Sequence, residues 1–492
     1  MSDVLAGVGV VAVGSASAAA ILLPPGRLRS LVMVAAMVLF PVLIAGDQWH
    51  TTQIVDLRDS PDRITALAVG AAAAVAALTY LFRRWPTLMP LAIVFAIPFR
   101  VPLHAGGDTA NLLVPLYLVI AAAVVATLLR DWTRPLPAHP PRALAWMLAA
   151  VILLYSLQVL YSADFSKGLQ NLCFFFVPFT LAYRLLREVE WDRRLLRWAL
   201  IVIGVEAVAF VLVGSVEYAA KSLFWNDQII RSNEFHTYFR VNSVFWDPNV
   251  YGRYLALVTV IATAAMLWAR TRESFWLLSG LILVLWIGLV PTFSQSSYLA
   301  LLAGLAMLAA IRWSWRWTLA VVAVGFVGAV LVVVLVGGSG KITSDRLNVD
   351  LSGRGSLVSG GADLFGERPL WGYGSGSFQR AYRDHRANKD APVTVSHTEP
   401  VTVAAEQGLI GLAAYLGLIA VALWTLGSGL WTNPPPPLGN RAARAAVMAT
   451  FVALLVHTLA YAGFFEDPIT WVLLAVGASL AHAAVPAVRE PA

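Results

Sequence analysis

Fifteen apolar stretches recur along the chain, at about 4–23, 30–46, 64–82, 87–99, 112–129, 143–160, 168–186, 196–214, 247–269, 275–290, 297–311, 317–337, 400–424, 445–461 and 469–485. A straight helical span takes roughly 20 apolar residues to cross bilayer hydrocarbon. Several stretches fall short of that, and 87–99 is the weakest, a re-entrant candidate. Only 13% of residues are charged, with mean hydropathy +0.72, against about a quarter charged in soluble domains. Such a chain cannot cover a water-facing surface, so its length counts membrane spans rather than soluble domains. The expected fold class is an all-α polytopic membrane protein with about 14–15 transmembrane helices.

Arginine sets the expected orientation. Alternate connections carry Arg27/Arg29, Arg83/Arg84, Arg130/Arg134/Arg142, Arg184 to Arg197, Arg270/Arg272, Arg312/Arg316 and Arg441/Arg444. The connections between them, such as "YSADFSK", "PTFSQSS" and "GFFEDP", hold a single Lys. Basic loops stay cytoplasmic, which predicts an outer N-terminus and an inner C-terminus. "MSDVLAG" has Asp3 and no basic residue, so the first stretch reads as a span rather than a cleaved signal. The net charge of +7 follows this loop pattern, and no nucleic-acid partner is expected. Cys173, the single cysteine, lies in the apolar run "NLCFFFVPF" and reads as a buried inert thiol.

Two connections on the predicted outer side are long, about 215–246 and 338–399. Loops of this length are usually functional or disordered. Trp371, Tyr373, Phe378 and Tyr382 argue for order in the second. Leu357, Val358, Leu364 and Phe365 share one helical face there, which predicts a short amphipathic helix lying near the outer membrane surface. "GYGSGSF" lacks the flanking strand and helix of a nucleotide loop and reads as a tight turn. No HExxH or GxSxG pattern is present. Neither a metal nor a cofactor is expected.

The outer loops do carry candidate chemistry. Arg240, Arg354 and Arg368 have the planar fork suited to phosphate oxygens. His397, just before a span, is the residue type that takes a proton near neutral pH. Glu399 and Glu406 follow it, and a carboxylate can orient an imidazole. Glu406 lies about 13 Å along the helix axis from His397 and equally suits a helix cap or an arginine partner. Glu206, inside a span, is expected to pair with Arg253. His457 and His482, also in spans, read as core histidines.

Together these pieces resemble the O-antigen ligase/polymerase family of membrane glycosyltransferases. The resemblance rests on Arg240 before Pro248-Asn249, on Gly353-Arg354 followed by "RPLWGYGSGSF", and on His397 followed by "AAEQGLIG". It covers about 200–425. Where many members have Ser-Arg at the start of a span, this chain has Ser294-Gln295. The resemblance implies a GT-C-like fold with 1–195 as N-terminal spans, 196–425 as catalytic core including both long loops, and 426–492 as C-terminal spans. It implies a polyprenyl-diphosphate-linked oligosaccharide donor, a glycan acceptor and a metal-independent inverting transfer. The reaction would occur on the outer face of the cytoplasmic membrane, within the lipid bilayer. In that reading His397 is the base and Arg240 and Arg354 neutralise the leaving diphosphate. Arg368, Asn249, Glu399 and Gln295 contact substrate. Ligase and polymerase are not separated by these residues. A lipid-linked glycan flippase is one alternative. Another is a peptidoglycan-type polymerase using an outer-loop acid such as Asp345, Asp363 or Glu367.

Overall fold

The computed structural model describes residues 3–105, 108–133, 141–226, 229–230, 233, 238–324, 344–385, 396–431 and 438–483. The chain opens with helices α1 (Asp3–Leu22), α2 (Arg27–Asp47), α3 (Thr52–Arg58), α4 (Pro61–Arg84) and α5 (Leu88–Ala96). Strands β1 (Val101–Ala105) and β2 (Asp108–Leu112) then form an antiparallel hairpin in which Val101 pairs with Leu112. Helices α6 (Val114–Thr133), α7 (Ala143–Val159) and α8 (Phe165–Asn171) follow, and a π-turn joins α8 to α9 (Val177–Arg187). Next come α10 (Arg193–Ala220), α11 (Pro248–Leu267), α12 (Arg272–Leu289), α13 (Gln295–Arg312) and α14 (Trp315–Val324). The chain ends with α15 (Ser344–Glu367), α16 (Phe378–Asp384), α17 (Glu399–Gly427), α18 (Leu438–Thr458) and α19 (Pro468–Ala483).

Eleven helices among the described residues are long and apolar enough to cross a membrane, and three shorter apolar ones accompany them. The chain is a helical, multi-pass membrane protein. Each of the fifteen apolar stretches contains helix, but 87–99 holds only the nine residues of α5. The hairpin that follows is a departure from an all-α fold: Pro98 and the two glycines of 106–107 interrupt helical periodicity.

The basic connections gather at one end of the bundle. There Arg29 bonds Asp131 at 2.6 Å and also meets Glu188, while Arg184 pairs with Glu188 at 2.9 Å. Arg27 stacks on Trp132 and Arg312 on Trp268. Close packing sets the middle. At Gly304 of α13 a Cβ would come within 2.6 Å of Val260 and 3.1 Å of Ala453, so α11, α13 and α18 approach as only small residues permit.

Helix starts are fixed locally. Asp247 accepts from the Asn249 amide at 2.6 Å ahead of Pro248, the first residue of α11, and Ser294 caps α13 through the Ser297 amide. Both are the expected chemistry of a first turn.

One expectation needs correction. Arg253 pairs with Asp467 at 2.9 Å, and Glu206 instead accepts from the Tyr254 hydroxyl at 3.2 Å. Consecutive helical residues point about 100° apart, so Tyr254 rather than Arg253 meets Glu206. The apolar face of α15 packs within the protein. Leu357 and Leu364 are buried against Phe378, Ala381, Tyr382 and Ala405, because α16 and α17 offer apolar partners.

Candidate active site

The site begins with a broken helix. Gly408 interrupts α17 with φ 65° and ψ −163°, and a Cβ there would lie 2.4 Å from the Leu370 carbonyl. A break frees backbone groups that a membrane cannot hydrate. The "RPLWGYG" segment takes them up. The Tyr373 and Gly374 amides donate to the Ala405 and Glu406 carbonyls at 3.2 and 2.7 Å, and Leu409 donates to the Pro369 carbonyl at 2.7 Å. Gln158 of α7 donates to the Gln407 carbonyl at 3.1 Å. The two motifs singled out in sequence are therefore halves of one hydrogen-bonded unit.

The glycines of "GYGSGSF" serve this contact. Gly374 and Gly376 have φ of 94° and 79°. A Cβ on Gly374 would lie 2.3 Å from the Ser162 Cα, and one on Gly376 would lie 2.7 Å from the Gly168 Cα. The turn is wedged against α8 and the loop before it.

Glu406 and Glu399 are both buried, and both carboxylates accept from main chain. Glu406 takes the Gly376 and Phe378 amides at 2.8 and 3.0 Å, which caps α16. Glu399 takes the Gly463 and Phe464 amides at 2.7 and 3.2 Å. This geometry makes them braces for two loops. His397 itself has φ 62°, a left-handed conformation costing about 1–2 kcal/mol for a side-chain-bearing residue. Its ring lies 6.5 Å from that of Tyr461.

These elements enclose a cavity of about 460 Å³, the size of a small-molecule site. His397, Glu399 and Asn249 line it. Sequence reasoning missed Lys167, Asn171, Asp247, Tyr461 and Glu466, which also line it. Burial and the neighbouring Asp247 carboxylate push the Tyr461 hydroxyl pKa up, so it stays a neutral donor. Carboxylates outnumber cations among the lining groups. Such a wall suits sugar hydroxyls better than phosphate.

Arg240 touches this wall indirectly. Its guanidinium bonds the Thr292 carbonyl at 2.9 Å and the Asn249 side-chain oxygen at 3.3 Å. Ser294 donates to that same oxygen at 2.9 Å, so Ser294, not Gln295, reaches Asn249 across the helices. Gln295 is exposed and does not line the cavity. Arg368 stacks on Tyr373 outside the cavity, beside the exposed Glu367–His385 pair. There the Tyr373 hydroxyl's hydrogen bond holds the Glu367 carboxyl below its usual pKa. Arg354 belongs to α15, but its side chain lies outside the described residues, as does that of Asp345.

A larger space, about 550 Å³, lies between α5, α10, α11, α18 and α19; its lining is mostly apolar, includes Arg193, Arg197 and Arg270, and holds no carboxylate or histidine, so the polar cavity offers more groups for proton transfer.

Residues 280–416 match the family model described as O-antigen ligase. No curated protein matches the chain. The matched stretch begins within α12 and ends within α17, and so includes "RPLWGYG", His397 and the Gly408 break, whereas Arg240 and Asn249 lie before it. Over that segment the chain is similar to the O-antigen ligase family.

Proposed function

We propose that the chain moves a glycan from a polyprenyl-diphosphate carrier to an acceptor hydroxyl on the outer face of the cytoplasmic membrane, with inversion at the anomeric carbon. The matched domain supports O-antigen ligase-type glycan transfer in general. The observation that carries the finer reading is the cavity itself: His397, Asn249 and Tyr461 face one polar space braced by the two family motifs.

In this reaction the acceptor oxygen attacks the anomeric carbon while His397 takes its proton. The bond from that carbon to the diphosphate oxygen breaks, and its electron pair leaves with the lipid diphosphate. Arg240 and Arg354 are assigned to that developing charge, a preorganised electrostatic role worth about 10²–10³ in rate for each donor. Asn249 and Tyr461 hold sugar hydroxyls. The acceptor decides between ligase and polymerase.

The test incubates purified full-length protein with a polyprenyl-diphosphate oligosaccharide and candidate acceptors, comparing wild type with His397→Ala and Arg240→Ala. The proposal requires product from wild type and strong loss in both variants. Undiminished turnover in both would remove the assignment. A discontinuous helix such as α17 also occurs in transporters. Movement of lipid-linked sugar across vesicles without transfer would favour that second reading.

A further inference from the structure

Arg240 and Arg354 are the arginines assigned to the leaving diphosphate, and a separate recess holds two more. Arg253 is 5% exposed, and its Nη1 has no hydrogen-bond partner among the described residues. Its Nη2 lies 2.9 Å from Asp467 Oδ2. Asp467 is committed elsewhere too, since Oδ1 accepts the Ile469 amide at 2.8 Å at the start of α19. Arg100, from the turn between α5 and β1, lines the same recess as Arg253 and Asp467. Among the described residues its guanidinium has charged neighbours but no hydrogen-bond partner. Two arginines against one carboxylate leave one positive charge in a poorly hydrated place, a costly arrangement unless an anion completes it.

The surroundings specify the anion. Ile97, Tyr254 and Ile469 line both this recess and the 550 Å³ apolar groove. From Tyr254 to Trp268 the groove follows α11 for about 20 Å of helical rise. On the other side, Asn249 of the reaction cavity lies about one turn before Arg253 on the same helix. Tyr461, which lines that cavity, feels the charges of both Arg253 and Arg100. The recess holds about 20 Å³, room for one water-sized oxygen, so it admits a phosphate oxygen while the rest of the group stays at the groove.

We infer that Arg100 and Arg253 form a phosphate site, separate from Arg240 and Arg354, for a polyprenyl phosphate whose chain lies in the groove between α10, α11 and α19. The inference rests on the proposed function for its choice of an isoprenoid lipid over an ordinary phospholipid. Arg100 and the unpartnered Nη of Arg253 grip the phosphate oxygens, and the groove takes the tail.

Direct binding tests it. Delipidated full-length protein in detergent is titrated with a polyprenyl phosphate, with phosphatidylglycerol and with inorganic diphosphate, and bound species are counted by native mass spectrometry. Arg100→Gln should weaken polyprenyl phosphate binding about tenfold or more, the worth of one charge-assisted hydrogen bond. The pair Arg253→Gln with Asp467→Asn, which removes one charge of each sign and leaves the net charge of the recess unchanged, should do the same while melting near wild type. Ile203→Trp, which fills the groove, should weaken polyprenyl phosphate but not inorganic diphosphate. Equal binding by wild type and Arg100→Gln overturns the site. Equal and equally arginine-dependent binding of phosphatidylglycerol overturns the isoprenoid assignment. His397→Ala should bind polyprenyl phosphate as wild type does. If that variant still transfers sugar while Arg100→Gln loses binding, the catalytic assignment fails and this site stands.

Discussion

At the basic end of the bundle, Arg29 is wholly buried between Asp131 and Glu188, and Arg184 and Arg130 close the same cluster. At the cavity end, Glu399 and Glu406 meet backbone amides. The first arrangement spends charge on charge and ties α2, α6 and α9 together. The second uses carboxylates to hold loops and leaves His397, Tyr461 and Glu466 facing an open space. Charge satisfied by charge marks scaffold here, and charge facing a cavity marks chemistry.

Substitutions can break that contrast. Asp131→Ala should have the largest effect, about 3–5 kcal/mol of lost stability, because it leaves buried Arg29 to share the Glu188 carboxylate with Arg130 and Arg184. Thermal unfolding in detergent reads this, and an unchanged melting temperature would erase the distinction between the ends. His397→Ala should lower transfer by about 10²–10⁴ with little change in melting. His397→Gly should be equally inactive yet melt no lower than wild type, since glycine carries no penalty at φ 62°.

Three smaller effects sharpen the picture. Gly374→Ala places a Cβ 2.3 Å from the Ser162 Cα. It should cost about 1–3 kcal/mol through overpacking and reduce turnover by shifting the cavity wall, both measurable on one preparation. Glu406→Ala should cost about 1–3 kcal/mol by orphaning the Gly376 and Phe378 amides, and Glu406→Gln should recover part of it. Gln295→Ala should stay within about 0.5 kcal/mol of wild type and keep its turnover, because that side chain is exposed and away from the cavity.

Much of this was readable from residues alone. Apolar length announced the helices, and arginine alternation announced which connections gather. The glycines of "GYGSGSF" announced a turn, and Gly374 occupies left-handed backbone, whereas nothing in "AAEQGLIG" announced the break at Gly408. What could not be read was partnership across distance. Periodicity gives a helix a face but not a neighbour, so Arg253 was matched to Glu206 instead of Asp467 more than 200 residues away. For the same reason the apolar face of α15 does not name its partners, which include Phe378 and Tyr382 around Leu364. Arg100 and Glu466 carried no motif. Only the folded chain brings Arg100 into the recess of Arg253 and Glu466 to the cavity wall.

Photocrosslinking bears most directly on the central claim, that the cavity beside His397 is where the lipid-linked glycan reacts. A polyprenyl-diphosphate oligosaccharide with a photoreactive sugar would be bound, irradiated and mapped by peptide mass spectrometry. Label should fall on 247–253, 396–407 and 461–467. Label confined to the basic end, on 184–197 or 27–30, would contradict the account.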